Sequence, residues 1–169
     1  VAEADVIALV ENTTELVPDA FNMKSARVIV ATKEKQDALW DAIYDAFGGK
    51  VAREKIDSFK AGYGTLLYFY DEDVVKGLQE QFPLYAPNFP IWAQQANGML
   101  QISIWTALRE LNIGANLQHY NPLIDDEVKK LTGVPKEWQL IAQMPFGHPT
   151  EPPKPIVKVP IEERVKVLQ

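Results

Sequence analysis

Two basic residues near the end of the sequence have the type and spacing of an anion site. Arg164 and Lys166 are two positions apart, so in an extended strand both side chains lie on one face and the intervening valines on the other. Such a pair suits a phosphate group, because arginine offers a bidentate fork and lysine a point charge. A solvated tail is the plainer interpretation. The alternating valines count against it, since a free tail needs no apolar face.

Two polar segments elsewhere could contact a small molecule. Residues 18–25 form a loop before a β-branched strand, where Asn22 could offer an amide and Lys24 a cation. A plain helix-to-strand connection is the alternative for this loop. Residues 114–122 end another strand in hydrogen-bonding side chains, among them His119. A lone histidine is more often structural than catalytic, but strand ends beside buried helices are where small-molecule sites tend to lie.

Composition excludes several kinds of chemistry. The 169 residues include no cysteine and only two histidines, His119 and His148, so we expect neither thiol chemistry nor a metal site. The net charge of −6 disfavours nucleic acid as a partner. No segment has the composition of a signal peptide or membrane anchor, so we expect a cytoplasmic protein without a membrane partner. No pattern indicates hydrolysis or a catalytic side chain, and the reactive group would therefore be a cofactor.

These residues must be positioned by alternating helices and strands. Helices are predicted over residues 2–16, 33–47, 56–59, 72–78, 89–111 and 125–131. Strands are predicted over residues 26–31, 65–70, 115–118 and 138–144. Gly114 is the candidate C-cap of the longest helix, and a proline-rich extended arm is predicted from Pro145 onward. The irregular connections favour one α+β domain over a doubly wound sheet, and no Gly-x-Gly-x-x-Gly follows a strand.

One long stretch of the chain carries no charge. Between Gln81 and Leu108 there is no acidic, basic or histidine residue, although 24% of the chain is charged. The helix predicted within it has apolar residues in nearly every direction and therefore has to be buried, while its polar residues keep it from being a membrane span. A 19.0 kDa chain has difficulty covering such a helix alone. We expect a partner subunit to cover part of it, with a site in the covered region.

The sequence resembles the FMN-dependent nitroreductase family. The resemblance is closest to the compact branch that includes the fungal fatty-acid-repression-mutant-like proteins and the bacterial copper-induced nitroreductases. The matching stretches cover nearly the whole chain and are residues 18–22, 25–28, 56–65, 82–86, 88–90, 117–125, 143–147 and 162–166. The resemblance implies an α+β homodimer, a sandwich of a mostly antiparallel sheet with helices. It also implies that two FMN sites lie in the subunit interface and that the C-terminal arms, residues 145–169, are exchanged.

The resemblance assigns cofactor contacts to three groups of residues. The loop that contacts a flavin bound mainly to the other subunit comprises Asp19, Ala20, Asn22 and Lys24. Relatives usually carry glutamine where this chain has Lys24, which could still reach a flavin carbonyl or the ribityl chain. The segment that lies along the ring, with backbone N–H groups near flavin N5, comprises Gln118, His119 and Tyr120. The phosphate is held by Arg164 and Lys166, and the candidates for lining the substrate cleft are Tyr85, Phe89 and His119.

The activity implied by the resemblance is that of a flavin oxidoreductase with a ping-pong mechanism. NAD(P)H reduces FMN, leaves, and is replaced by a nitroaromatic, a quinone or a similar small-molecule electron acceptor. The alternatives are a flavin-carrying regulatory or stress protein with little turnover, and an interaction module that has lost the cofactor. Relatives begin with an Arg-Arg-Ser/Thr segment that also contacts the flavin, whereas this sequence begins at Val1. Either the start is missing or flavin binding is weakened.

Overall fold

A four-stranded antiparallel sheet forms the centre of the computed structural model, which describes residues 1–169. The strands are β1 (Ala26–Thr32), β2 (Gly64–Asp71), β3 (Gly114–Ala115) and β4 (Trp138–Gly147). Their order across the sheet is β1-β2-β4-β3, and each neighbouring pair is antiparallel. The α+β class and the antiparallel sheet predicted from the sequence are confirmed.

Six helices pack on this sheet. They are α1 (Glu3–Leu16), α2 (Glu34–Phe47), α3 (Arg53–Lys60), α4 (Glu72–Gln81), α5 (Phe89–Glu110) and α6 (Asp125–Thr132). Three short 3₁₀ turns are present at Ala20–Asn22, Pro83–Asn88 and Ile161–Glu163. The second of these turns contains Pro83 and Pro87 and leads directly into α5. None of the helices is long and apolar enough to cross a lipid bilayer.

Each face of the sheet has its own hydrophobic core. Along β2, Leu66 and Tyr68 pack towards α1 and α5, whereas Leu67 and Phe69 pack towards α2, α3 and α6. This alternation follows from the two-residue period of a strand. All four side chains are fully buried, and burial raises the pKa of the Tyr68 phenol. The helices on both faces of the sheet are therefore anchored on the buried side chains of β2.

Helix α5 is buried on one face only. Its inner face includes Asn97, whose side chain donates a hydrogen bond to the Phe69 carbonyl at 2.9 Å, so the buried amide is satisfied. On its outer face Ile91, Met99 and Ile102 are 55%, 42% and 58% exposed. The helix that is apolar on nearly every side is thus left half-covered by its own chain. The partner subunit expected to cover it stays a prediction.

The end of α5 differs from the prediction, because Gly114 does not cap it. The helix ends at Glu110, and Asn112 adopts a left-handed conformation with φ of +59°. Asparagine tolerates this conformation, and the N–H of Ile113 then donates to the Leu108 carbonyl at 3.0 Å. Gly114 instead begins β3. The strand predicted over residues 115–118 is interrupted after Ala115 and resumes only as a single bridge between Gln118 and Gln143.

The chain leaves the sheet three residues later than predicted, because β4 continues through Pro145 to Gly147. From His148 onward every residue is exposed, and the tail contains one 3₁₀ turn. The N–H of Arg164 donates to the Ile161 carbonyl at 2.9 Å and closes this turn. The extended strand predicted around Arg164 and Lys166 is therefore wrong at Arg164.

Candidate functional site

The loop before β1 has an unusual backbone. Phe21, Asn22 and Lys24 all have positive φ angles, of +57°, +50° and +51°. For Phe21 and Lys24 this conformation costs about 1–2 kcal/mol each, whereas asparagine tolerates it. Such strain persists only where surrounding contacts fix the chain, and it is concentrated at functional sites.

Polar contacts fix this loop from both ends. The Asp19 carboxylate accepts a hydrogen bond from the Lys24 N–H at 2.6 Å, and the Lys24 carbonyl accepts one from the Arg27 guanidinium at 2.7 Å. Arg27 in turn pairs with Asp71 at 3.1 Å. The second Asp19 oxygen is buried without a partner, and the exposed Lys24 ammonium forms no ion pair. The loop therefore offers one acceptor and one cation that the chain itself does not use.

An aromatic cluster holds the middle of the same loop. The Phe21 ring lies 5.6 Å from Trp92, nearly parallel to it, and contacts the other rings of the cluster, which are Phe82, Tyr85 and Phe89. Phe21 and Tyr85 are partly exposed, but Phe89 is fully buried. Tyr85 can face a cleft, whereas the suggestion that Phe89 lines one is wrong in this chain because Phe89 belongs to the core.

The segment of residues 118–120 lies at the edge of the sheet opposite β1, beside β4. Gln118 and Gln143 exchange two backbone hydrogen bonds, of 2.7 Å and 2.9 Å. In an antiparallel pair of this kind, the N–H groups of the flanking residues point away from the partner strand. The N–H of His119 accordingly has no acceptor within the chain, and His119 is exposed. The Tyr120 N–H is occupied, because it donates to the Gln143 side chain at 2.8 Å.

One chain does not bring the predicted site residues together. The loop of residues 19–24 precedes the edge strand β1, whereas residues 118–120 lie at the opposite edge, beyond β4. Three strand spacings separate these edges, about 14 Å. Arg164 and Lys166 lie in the exposed tail and form no ion pair. Within one chain the three groups thus lie apart, two at opposite edges of the sheet and one in the exposed tail.

Two titratable groups near these segments have shifted pKa values. Burial, and then the neighbouring Glu72 carboxylate, raise the pKa of Tyr70, which packs beside the aromatic cluster. Burial also raises the pKa of Asp125 at the start of α6, where one carboxylate oxygen lacks a partner. Both shifts follow first from burial, and neither group is assigned a catalytic role.

The available groups fit the chemistry of FMN. Arg164 and Lys166 are cations without an internal counter-ion, as a phosphate requires. The unpartnered Asp19 oxygen suits a hydroxyl donor, and the free N–H of His119 suits an acceptor atom on a planar ring. Sequence reasoning missed Phe21, Arg27 and Gln143. For Gln143 a signal was present, because it is an amide inside the apolar run of residues 140–147 in β4.

The chain is similar to several known proteins in sequence and in fold. A model described as the nitroreductase family matches residues 1–148. The nitroreductase FRM2 of Saccharomyces cerevisiae is 34% identical over 151 residues, covering 89% of this chain and 77% of FRM2. HBN1 of the same yeast is 31% identical over 150 residues, covering 88% and 77%. The nitroreductase CinD of Lactococcus lactis, solved in complex with chloramphenicol and with 4-nitrophenol, superimposes with a TM-score of 0.95 at 41% identity, covering 100% of this chain and 90% of CinD.

Proposed function

The chain belongs to the nitroreductase family, and from that premise we propose that it is an FMN-dependent oxidoreductase that uses NAD(P)H to reduce nitroaromatics, quinones or similar acceptors. The observation that carries this proposal is the 41% identity to CinD over the whole chain, since CinD was solved with 4-nitrophenol, a nitroaromatic compound. The branch suggested by the sequence, with its fungal and bacterial members, is confirmed by FRM2, HBN1 and CinD.

We propose that the working unit is a homodimer built on the outer face of α5. This face carries no charge before Arg109, exposes Ile91, Met99 and Ile102, and adjoins a groove of about 870 Å³ between α5 and residues 149–153. The tail supports the same arrangement, because its apolar side chains are uncovered and reach 96% exposure at Val157 and 97% at Leu168. Exchange of the tails would bury these side chains on the partner. It would also bring Arg164 and Lys166 to a cleft shared by both chains.

In such a dimer each protomer supplies a different wall of the cleft. The loop of residues 19–24 comes from one chain and the segment of residues 118–120 from the other, which accounts for their separation by about three strand spacings within one chain. Arg164 and Lys166 bind the phosphate, and the His119 N–H orients the ring by donating to it. Bound FMN would supply two-electron redox chemistry between NAD(P)H and the acceptor. No side chain is needed as an acid or base, because solvent can supply protons.

The test begins with purified full-length protein. We expect it to be yellow, with one FMN per chain, and to be a dimer by light scattering. It should oxidise NADH or NADPH only when a nitroaromatic such as 4-nitrophenol or a quinone is added, above the rate given by free FMN. Stoichiometric FMN without turnover would instead indicate a flavin carrier. A colourless monomer that does not take up added FMN would refute both the enzyme and the carrier.

A further inference from the structure

A single buried side chain organises the segment that carries the free His119 N–H. Gln143 of β4 is 0% exposed. Its side-chain oxygen accepts from the Tyr120 N–H at 2.8 Å, and its side-chain nitrogen donates to the Asn121 side-chain oxygen at 3.2 Å. Its backbone forms two further hydrogen bonds with Gln118. One residue therefore fixes the chain on both sides of His119 and leaves the His119 N–H unbonded.

The position of Gln143 calls for this explanation because an apolar residue would suit its surroundings. In the sheet it pairs with the fully buried Leu67, and its neighbours along β4, Ala142 and Met144, are also fully buried. A buried amide is costly unless its hydrogen-bonding groups are satisfied. Here both ends of the amide are used, and both point to residues 120 and 121. The side chain thus holds the segment beside the sheet in one backbone conformation.

We propose that Gln143 is a positioning residue that holds the His119 N–H in place as a donor to the bound flavin, an inference that rests on the proposed function. Gln143 acts through the backbone of residues 118–121 and does not itself touch the cofactor. A donor placed beside a flavin ring nitrogen interacts differently with the oxidised and reduced ring, because that nitrogen is an acceptor in one form and carries a proton in the other. Losing the donor geometry should therefore change the ratio of the two affinities.

The experiment compares Gln143→Leu with a matched control. Gln36 is the control because it is also a buried glutamine, 2% exposed, whose side chain bonds Phe59 and Thr65, away from residues 118–121. We expect Q143L and Q36L both to lower the melting temperature. Only Q143L should change the ratio of affinities for oxidised and reduced FMN, by about tenfold, which corresponds to a shift of about 30 mV in the two-electron potential. Equal potentials for Q143L and wild type would overturn the proposal.

Two further measurements complete the test: the flavin potential of a conservative variant, and hydrogen exchange of the backbone amides. Q143E keeps an acceptor for the Tyr120 N–H, and when protonated it also keeps a donor, so we expect it to restore the wild-type potential. If Q143L does not fold, hydrogen exchange on the wild-type protein with and without bound FMN decides: the Tyr120 amide should be protected in both forms, and the His119 amide only when FMN is bound. Exchange at His119 that bound FMN does not slow would overturn the proposal. Wild-type protein that binds no FMN would instead overturn the proposed function, so the two failures are distinguishable.

Discussion

The helices α2 and α5 pack on opposite faces of the same sheet, yet their outer surfaces differ. The outer residues of α2 and its neighbour α3 are charged, and Asp41 pairs with both Arg53 and Lys60 at 2.9 Å. The outer residues of α5 are apolar or uncharged up to Arg109. Both helices bury a row of side chains against the sheet, so they differ only in their outer surfaces. The proposed homodimer accounts for this difference, because its interface would cover the uncharged outer face of α5.

The largest expected effect comes from placing a charge on the outer face of α5. Ile102→Glu would bury an unpaired carboxylate in the proposed interface, which costs about 3–5 kcal/mol. We expect dimers to dissociate at concentrations where the wild type is dimeric, as measured by sedimentation equilibrium. The matched control is Lys35→Glu on the exposed side of α2, which should leave the assembly unchanged. An I102E protein that dimerises normally would show that the outer face of α5 is not the dimer interface.

The next largest effect is expected in the C-terminal tail, which begins beside the outer face of α5. Arg164→Ala with Lys166→Ala removes two charge-assisted phosphate contacts, each worth about 1.5–3 kcal/mol. FMN affinity, measured by the quenching of flavin fluorescence, should fall by well over tenfold. The control with the same charge change is Lys154→Ala with Lys158→Ala, earlier in the same tail, which should bind FMN normally. Unchanged affinity in the first double variant would show that Arg164 and Lys166 belong to a solvated tail and do not bind the phosphate.

A smaller effect is expected at the strained loop. Lys24→Gln removes an exposed cation, so it should weaken FMN binding by about 1 kcal/mol or less. Isothermal titration against Lys50→Gln, a change of equal charge at an exposed position beyond α2, provides the comparison. A loss as large as that of the tail variant would show that the loop, and not the tail, dominates the binding of the anionic cofactor.

The smallest effect is expected on the charged outer surface of α2 and α3, and it depends on pH. The hydrogen bond from Lys60, and then that from Arg53, lower the pKa of Asp41 below its ordinary value of 3.8. A lowered folded-state pKa stabilises the protein above the ordinary value, and this stabilisation is lost as the pH falls through the lowered value. Asp41→Asn should therefore be less stable than wild type at neutral pH, by at most about 1 kcal/mol for a partly exposed pair. Urea unfolding should show the difference disappearing below pH 3.8, and a constant difference would contradict it.

The sequence allowed the fold to be predicted where periodicity was strong. The β-branched run of β1, the apolar run of β2 and the long apolar helix were recognised because burial dictates those patterns. The cap of α5 was misjudged because Asn112 took the left-handed conformation that a glycine was expected to supply. The turn at Arg164 was missed because a 3₁₀ turn depends on local backbone bonds that leave no apolar period.

The site was harder to predict because its geometry arises from pairing across the sheet. The sequence shows hydrogen-bonding residues near His119, but which N–H stays free depends on the bridge between Gln118 and Gln143. That bridge joins segments far apart in the chain, so no local pattern encodes it. Phe21 was missed for a related reason, since its role depends on rings contributed by the turn before α5 and by α5 itself.

The placement of residues 19–24 and 118–120 at opposite edges of one sheet has a genetic consequence. In the proposed homodimer, a subunit damaged at the first segment would pair with a subunit damaged at the second. Such a mixed pair contains one cleft with both defects and one cleft with none. Two different defective alleles in one cell would thus restore part of the activity that neither allele retains alone.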